Sequence, residues 1–251
     1  MNFGNGAKLV LRMRWGPTSH VRTLSGVSSQ PDDPLCQHIR DAYFRKFYPV
    51  NESPLFHNVC VEALVVTADN KIVIARRKSK SIFGGRWTAT FEEQMLQRRL
   101  RDKRQDSGLF ECVERGAEEE LGITGIAKGY PKLLGFGFEW FNFTAAFLFL
   151  IKCEETHRDV VQAWSGSIRT TEREEAVALD YLSADRDSVI DALSRDEWTP
   201  VDSRPSPLWS GPGDEPGAKD LWHPTARARL YAYLGYLDLS SHDEPRADAK
   251  A

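Results

Sequence analysis

The stretch Glu111–Ile123, ECVERGAEEELGI, decides how this chain reads. Residues three and four apart share one face of an α-helix, so Glu111, Arg115 and Glu119 form a stripe with Glu120 beside it. Val113, Ala117 and Leu121 recur every four residues on another side, the side expected to lie on a sheet. Gly122 is suited to end such a helix, and Asp106 or Ser107 to cap a start before it. Two adjacent carboxylates near a helix C-terminus face the negative end of the dipole, at about 0.3–1 kcal/mol each. Arg115 can offset one of them, and a hard divalent cation can offset both. Most glutamate-rich helices that end in glycine are solvated faces, so residue types alone favour the plainer reading.

Upstream, valine-rich Val59–Thr67, the turn pair Asp69-Asn70 and β-branched Lys71–Ala75 spell a β-hairpin. A charged loop (Arg76–Lys80) and Gly84-Gly85 follow, then an expected strand from Arg86 to Phe91. Glu93–Lys103 reads as a helix with a basic end, more in keeping with a solvated face than a polyanion site. Downstream, strands are expected near Lys132–Trp140, Phe143–Lys152 and Arg173–Tyr181, and a short helix over Asp185–Leu193. Phe143–Lys152 is almost continuously apolar, which predicts a strand covered on both faces. Trp198–Lys219 is rich in proline and glycine and reads as a long loop. Pro224 then opens a helix over Ala226–Tyr236 that should dock on the core. At the N-terminal end, Ala7–Trp15 alternates like an edge strand and Pro34–Tyr48 has helical spacing.

Composition narrows the function classes. With 251 residues, 41% hydrophobic and 27% charged, the chain can bury a sizeable core and has none of the bias of disorder. A net charge of −3 gives no global signature for nucleic acid, which is not expected as a partner. The four cysteines lie apart without a CxxC pair, which argues for reduced thiols rather than zinc or a disulfide framework. The longest apolar run, Ala145–Ile151, is far short of the ~20 residues a membrane helix needs. No signal-peptide pattern opens the chain, so the expected location is the cytoplasm.

Arg115–Ile123 resembles the second half of the Nudix box, Arg-Glu-U-x-Glu-Glu-x-Gly-U with U apolar. Arg115, Ala117, Glu119, Glu120, Gly122 and Ile123 match it. The hairpin Val65–Arg77 and the following GRWTAT (Gly85–Thr90) are similar to the opening strands of that family, and the resemblance spans roughly residues 58–182. The first half of the box departs from the pattern. Arg101 and Ser107 stand where its glycine and glutamate belong, so Gly84 or Gly85 and Glu92 or Glu93 are expected to do that work around an insertion over Met95–Gln105. Gly116 stands where the pattern has the glutamate that follows the arginine.

The resemblance implies an α+β domain, an α/β/α sandwich around a mixed sheet, with the Nudix unit over 58–197. Residues 1–57 would be an N-terminal extension, 198–240 a loop and docking helix, and 241–251 a disordered tail. It implies a metal-dependent hydrolase of a nucleoside diphosphate derivative, such as a sugar nucleotide or nucleotide cofactor, using Mg²⁺ or alternatively Mn²⁺. The residues expected to act are Glu119, Glu120, Arg115 and Glu93, with Glu92 and Glu111 as further metal ligands. Arg76, Arg77, Trp87 and Glu174 are expected near substrate, and Glu174-Glu175 is a further source of a base. Phe138, Trp140 and Phe141 could stack a base, although aromatics in such hairpins more often belong to the core. Isopentenyl-diphosphate isomerase chemistry is disfavoured, because Phe91–Gln94 offers neither cysteine nor histidine. The competing class is a ligand-binding or regulatory module in which Gly116 marks lost chemistry. A homodimer is left open.

Overall fold

The computed structural model describes residue 34 and residues 58–78, 84–95, 106–139, 144–166, 176–199, 204–205 and 221–243. The expectations for Ala7–Trp15, for Pro34–Tyr48 beyond Pro34 itself, for the basic run Arg98–Arg104 and for Glu174-Glu175 lie outside them.

Strands β1 (Asn58–Val66) and β2 (Lys71–Arg77) form the expected hairpin, with Asn70 in the left-handed region at its turn. The hairpin is joined by direct pairing only at Val66 and Ile72. Beyond that point β1 and β2 part, and two short strands fill the gap: β3 (Trp87–Thr88) pairs with β2 and β4 (Phe91–Gln94) with β1. Thr90 ties the wedge in place. Its hydroxyl donates to the Val73 carbonyl at 2.6 Å and accepts the Val65 N–H at 3.0 Å. The single strand expected over Arg86–Phe91 is thus two strands around a bend, and Glu93 and Gln94, expected to begin a helix, belong to β4.

Strands β5 (Lys132–Glu139), β6 (Thr144–Lys152), β7 (Ala176–Ser183) and β8 (Arg204–Pro205) complete the sheet, in the order β5-β6-β1-β2-β7-β8. The β1–β6 pair is parallel and the other pairs are antiparallel, which makes the sheet mixed. β6 lies between β5 and β1, as its apolar run predicts.

Alternation along the strands sends side chains to two cores. On one face Val61, Ala63, Val65, Phe91, Phe147 and Phe149 meet helix α1 (Leu109–Gly116), its continuation Ala117–Leu121, and helix α2 (His157–Gly166). On the other, Leu64, Ile72, Ile74 and Trp87 meet helices α3 (Arg186–Ser194) and α4 (Pro224–Asp243). The result is an α/β/α sandwich. The Asp185 side chain caps α3 by accepting the Ser188 N–H. α4 begins at Pro224 as expected but runs through 241–243, three residues of the expected tail. Among the described residues no helix is long and apolar enough to cross a membrane. Cys60, Cys112 and Cys153 are buried thiols.

Candidate active site around Arg115

α1 starts from Gly108, and its first turn is closed by Glu111, whose Oε2 accepts the Ser107 N–H at 2.6 Å. Hydrogen bonds from Ser107 hold the Glu111 carboxyl below its ordinary range. Val113, Ala117 and Leu121 are buried against the sheet, as their spacing requires. Past Gly116 the helix widens into a π turn over Ala117–Leu121, a form often found at functional sites. Gly122 ends it in the left-handed conformation, and Ile123 N–H reaches back to the Ala117 carbonyl.

Arg115 organises the carboxylates here. Its Nη1 donates to Glu119 Oε2 at 2.6 Å and lies 3.4 Å from Glu93 Oε1. Nε and Nη2 hold the two oxygens of Asp106 at 2.9 and 3.0 Å, and Nη2 also donates to the Gln94 carbonyl. Burial alone would lower the Arg115 pKa, but the bonds to Asp106 and Glu119 and the charge of Glu93 override it and raise it. Burial pushes the Glu93 carboxyl up to about 7, against the pull of Arg115 and with the added charge of Glu119. Glu120, the next residue along the turn, is buried.

The structure brings Glu119, Arg115 and Glu93 together and keeps other expected site residues away. Glu92 is a correction: neighbours on a strand point to opposite faces, so it lies across the sheet from Glu119. There its Oε1 accepts from Arg229 at 2.8 Å and Thr225 at 2.9 Å, and its Oε2 from Arg77 at 2.7 Å. Burial would raise the Glu92 pKa, yet the charges of Arg229, Arg77 and His223 lower it to about 2. Glu111 is a second correction, since it is exposed and engaged with Ser107 at the opposite end of α1 from Glu119. Trp87 is a third. It is 1% exposed within the core beneath α4, so it offers no stacking surface. Arg76, at the end of β2 rather than in a loop, bonds the Gly85 carbonyl and lies over the Trp87 ring, while Arg77 is committed to Glu92. Glu174 lies outside the described residues.

Sequence reasoning missed Asp106 as a partner of Arg115, reading it as a cap. It also missed Arg229, wholly buried between Glu62 and Glu92. A signal for Arg229 was there: it falls on the same helical stripe as Ala226, Leu230 and Tyr233, where a charge needs a buried partner.

Carboxylate oxygens are the donors that Mg²⁺ and Mn²⁺ prefer, and three carboxylates gathered on one guanidinium leave the cluster anionic. The site therefore fits a hard cation in donor type and charge. Among the described residues no three His, Cys, Asp or Glu groups converge as a preformed metal cage.

No family model matches the sequence, and no curated protein does. Among solved structures, a MutT protein from Methanosarcina mazei is 18% identical with a TM-score of 0.36, covering 55% of this chain and 82% of that one. The NUDIX domain of Shewanella oneidensis NrtR, solved with ADP ribose, is 15% identical with a TM-score of 0.32, covering 46% and 71%. A mutT/nudix family protein from Listeria innocua is 10% identical with a TM-score of 0.38, covering 74% of this chain and 95% of that one.

Proposed function

We propose that this chain is a Nudix-type pyrophosphohydrolase that cleaves the diphosphate linkage of a nucleoside diphosphate derivative, with Mg²⁺ or Mn²⁺ held by Glu119 and Glu120. The observation that carries the reading is the Arg115–Glu119 bond within the turn that ends the helix. It supports a role for Arg115 in orienting Glu119 through a charge-assisted hydrogen bond. When bound, the cation would offset diphosphate charge and polarise the phosphorus toward attack by water. Glu119 and Glu120 are the residues that would hold it, and a further carboxylate must take part where the pattern's own glutamate is Gly116.

The second reading, a ligand-binding module without turnover, draws on that same glycine. The test is incubation of the full chain with Mg²⁺ or Mn²⁺ and a panel including ADP-ribose, sugar nucleotides and dinucleotide cofactors, beside Glu119→Gln. Metal-dependent release of two phosphorylated products, lost in the variant, is the expected result. Ligand-induced thermal stabilisation without any turnover would favour the binding module instead.

A further inference from the structure

We propose that Glu93, carried on strand β4, supplies to the divalent cation the carboxylate that the box pattern places at position 116. The proposal rests on the hydrolase reading above and names the residue that completes its site.

The argument is one of shared space. A Cβ built on Gly116 would lie 2.6 Å from Phe91 Cε2, 3.0 Å from Glu93 Cβ and 3.2 Å from Glu93 Cγ. A side chain at 116 and the present side chain at 93 therefore compete for one volume. In this chain strand β4 fills it, and the helix gives way with a glycine. The Glu93 side chain continues from that contact to Arg115 Nη1, the same nitrogen that holds Glu119. The two carboxylates thus meet at one atom, although one comes from the sheet and the other from the helix end.

Register fixes this arrangement. In the β1–β4 ladder Glu93 pairs with Val61, and Val61 lies in the core under α1. Glu92 pairs with Glu62, whose Oε2 is 3.3 Å from Arg229 beneath α4. Glu93, and not Glu92, therefore faces both the helix and Glu119. Its Oε1 accepts the Gln94 N–H at 2.8 Å and faces Arg115. Among the described residues both of these contacts fall on Oε1, and Oε2 is the oxygen that would reach a cation.

The test is calorimetric titration of the full chain with Mn²⁺ alone, for the wild type, Glu93→Gln, Glu93→Asp and Glu119→Gln, with turnover measured in parallel. Glu93→Gln keeps the shape and removes the charge. Its Mn²⁺ affinity should fall at least about tenfold, with turnover falling about a hundredfold or more. Wild-type Mn²⁺ affinity in Glu93→Gln, beside a loss in Glu119→Gln, overturns the assignment and leaves the hydrolase reading intact. Wild-type affinity in Glu119→Gln as well overturns both. Should Glu93→Gln fail to fold, Glu93→Asp decides. It keeps the charge but withdraws the oxygens by one methylene, so weakened binding supports the assignment and wild-type binding overturns it.

Discussion

Arg115 meets Asp106 with two nitrogens at once, Nε to Oδ1 at 2.9 Å and Nη2 to Oδ2 at 3.0 Å. A guanidinium is a rigid planar fork, so fixing two of its nitrogens fixes the third. That third nitrogen, Nη1, is the one Glu119 and Glu93 share. Asp106 is therefore a positioning residue whose effect reaches the carboxylates through Arg115. Asp106→Asn removes the charge that balances Arg115 on this side. It should lower stability by on the order of 3 kcal/mol, as measured by urea denaturation. In steady-state kinetics kcat should fall more than KM rises, because the loss lies in alignment. Equal stability in the two proteins would show that Arg115 does not depend on this partner.

Gly116 makes an opposed pair of forces visible. Replacing glycine by alanine inside a helix ordinarily stabilises by up to about 1 kcal/mol. Here the new methyl would meet Phe91 and Glu93 at 2.6 and 3.0 Å, and overpacking costs about 1–3 kcal/mol. The clash should win, so Gly116→Ala should unfold at lower urea than the wild type. Adding Phe91→Leu should recover part of that loss, since the Phe91 ring makes the shortest of these contacts. A stabilised Gly116→Ala would mean that β4 yields easily.

The helix was legible because its pattern is local. Val113, Ala117 and Leu121 had to face the sheet, and Gly122 had to end the turn. The hairpin was legible through Asp69-Asn70. The wedge of β3 and β4 was not, because it depends on where β1 and β2 part, and no residue in either strand announces that. Without the wedge, the opposite destinations of Glu92 and Glu93 could not be assigned, although strand alternation dictates them once β4 is known. Asp106 lies nine residues before Arg115, too far for helical spacing to pair them. α2 was missed altogether. Its first turn is anchored by long-range bonds, from the His157 N–H and ring to Asp69 in the hairpin turn.

The network beneath α4 sets an acid limit on the fold. Burial lowers the His223 pKa to about 4 from its ordinary 6.5, and the backbone N–H of Thr225 donates to its Nδ1. Between those values the unfolded chain binds the proton and the folded chain does not. Acidification across pH 6.5 to 4 should therefore remove the stability this group contributes, on the order of 3 kcal/mol. Glu92 extends the trend. Its folded pKa of about 2 lies below its ordinary 4.5, so stability present above pH 4.5 is lost as pH falls toward 2. Glu93 acts in the opposite sense across the upper window, because its folded pKa of about 7 lies above its ordinary 4.5. Denaturation midpoints measured at successive pH values should therefore fall through both windows in a Glu93→Gln background, which removes this offset. His223→Gln should flatten the upper window and shrink the lower one only in part, because Arg229 and Arg77 still act on Glu92.

Arg229 is the cation that makes this interior tolerable. It is wholly buried, donates to the Phe91 carbonyl and the Thr88 hydroxyl, and faces both Glu62 and Glu92. Arg229→Met keeps the length and apolar stem but strips the charge, leaving two carboxylates to face each other's field. Removing one partner of a buried ionic group costs about 3–5 kcal/mol, more than the packing of one methionine returns. The Glu62 side chain is 1% exposed and that of Glu92 20%, and Glu92 also meets Arg77, so the larger share of the loss should come from Glu62. Arg229→Met with Glu62→Leu should therefore regain most of the stability, whereas Arg229→Met with Glu92→Leu should regain less. Urea midpoints for the three variants give the comparison directly. Equal recovery from the two double variants would mean that Arg229 serves both carboxylates alike and that Arg77 contributes little to Glu92.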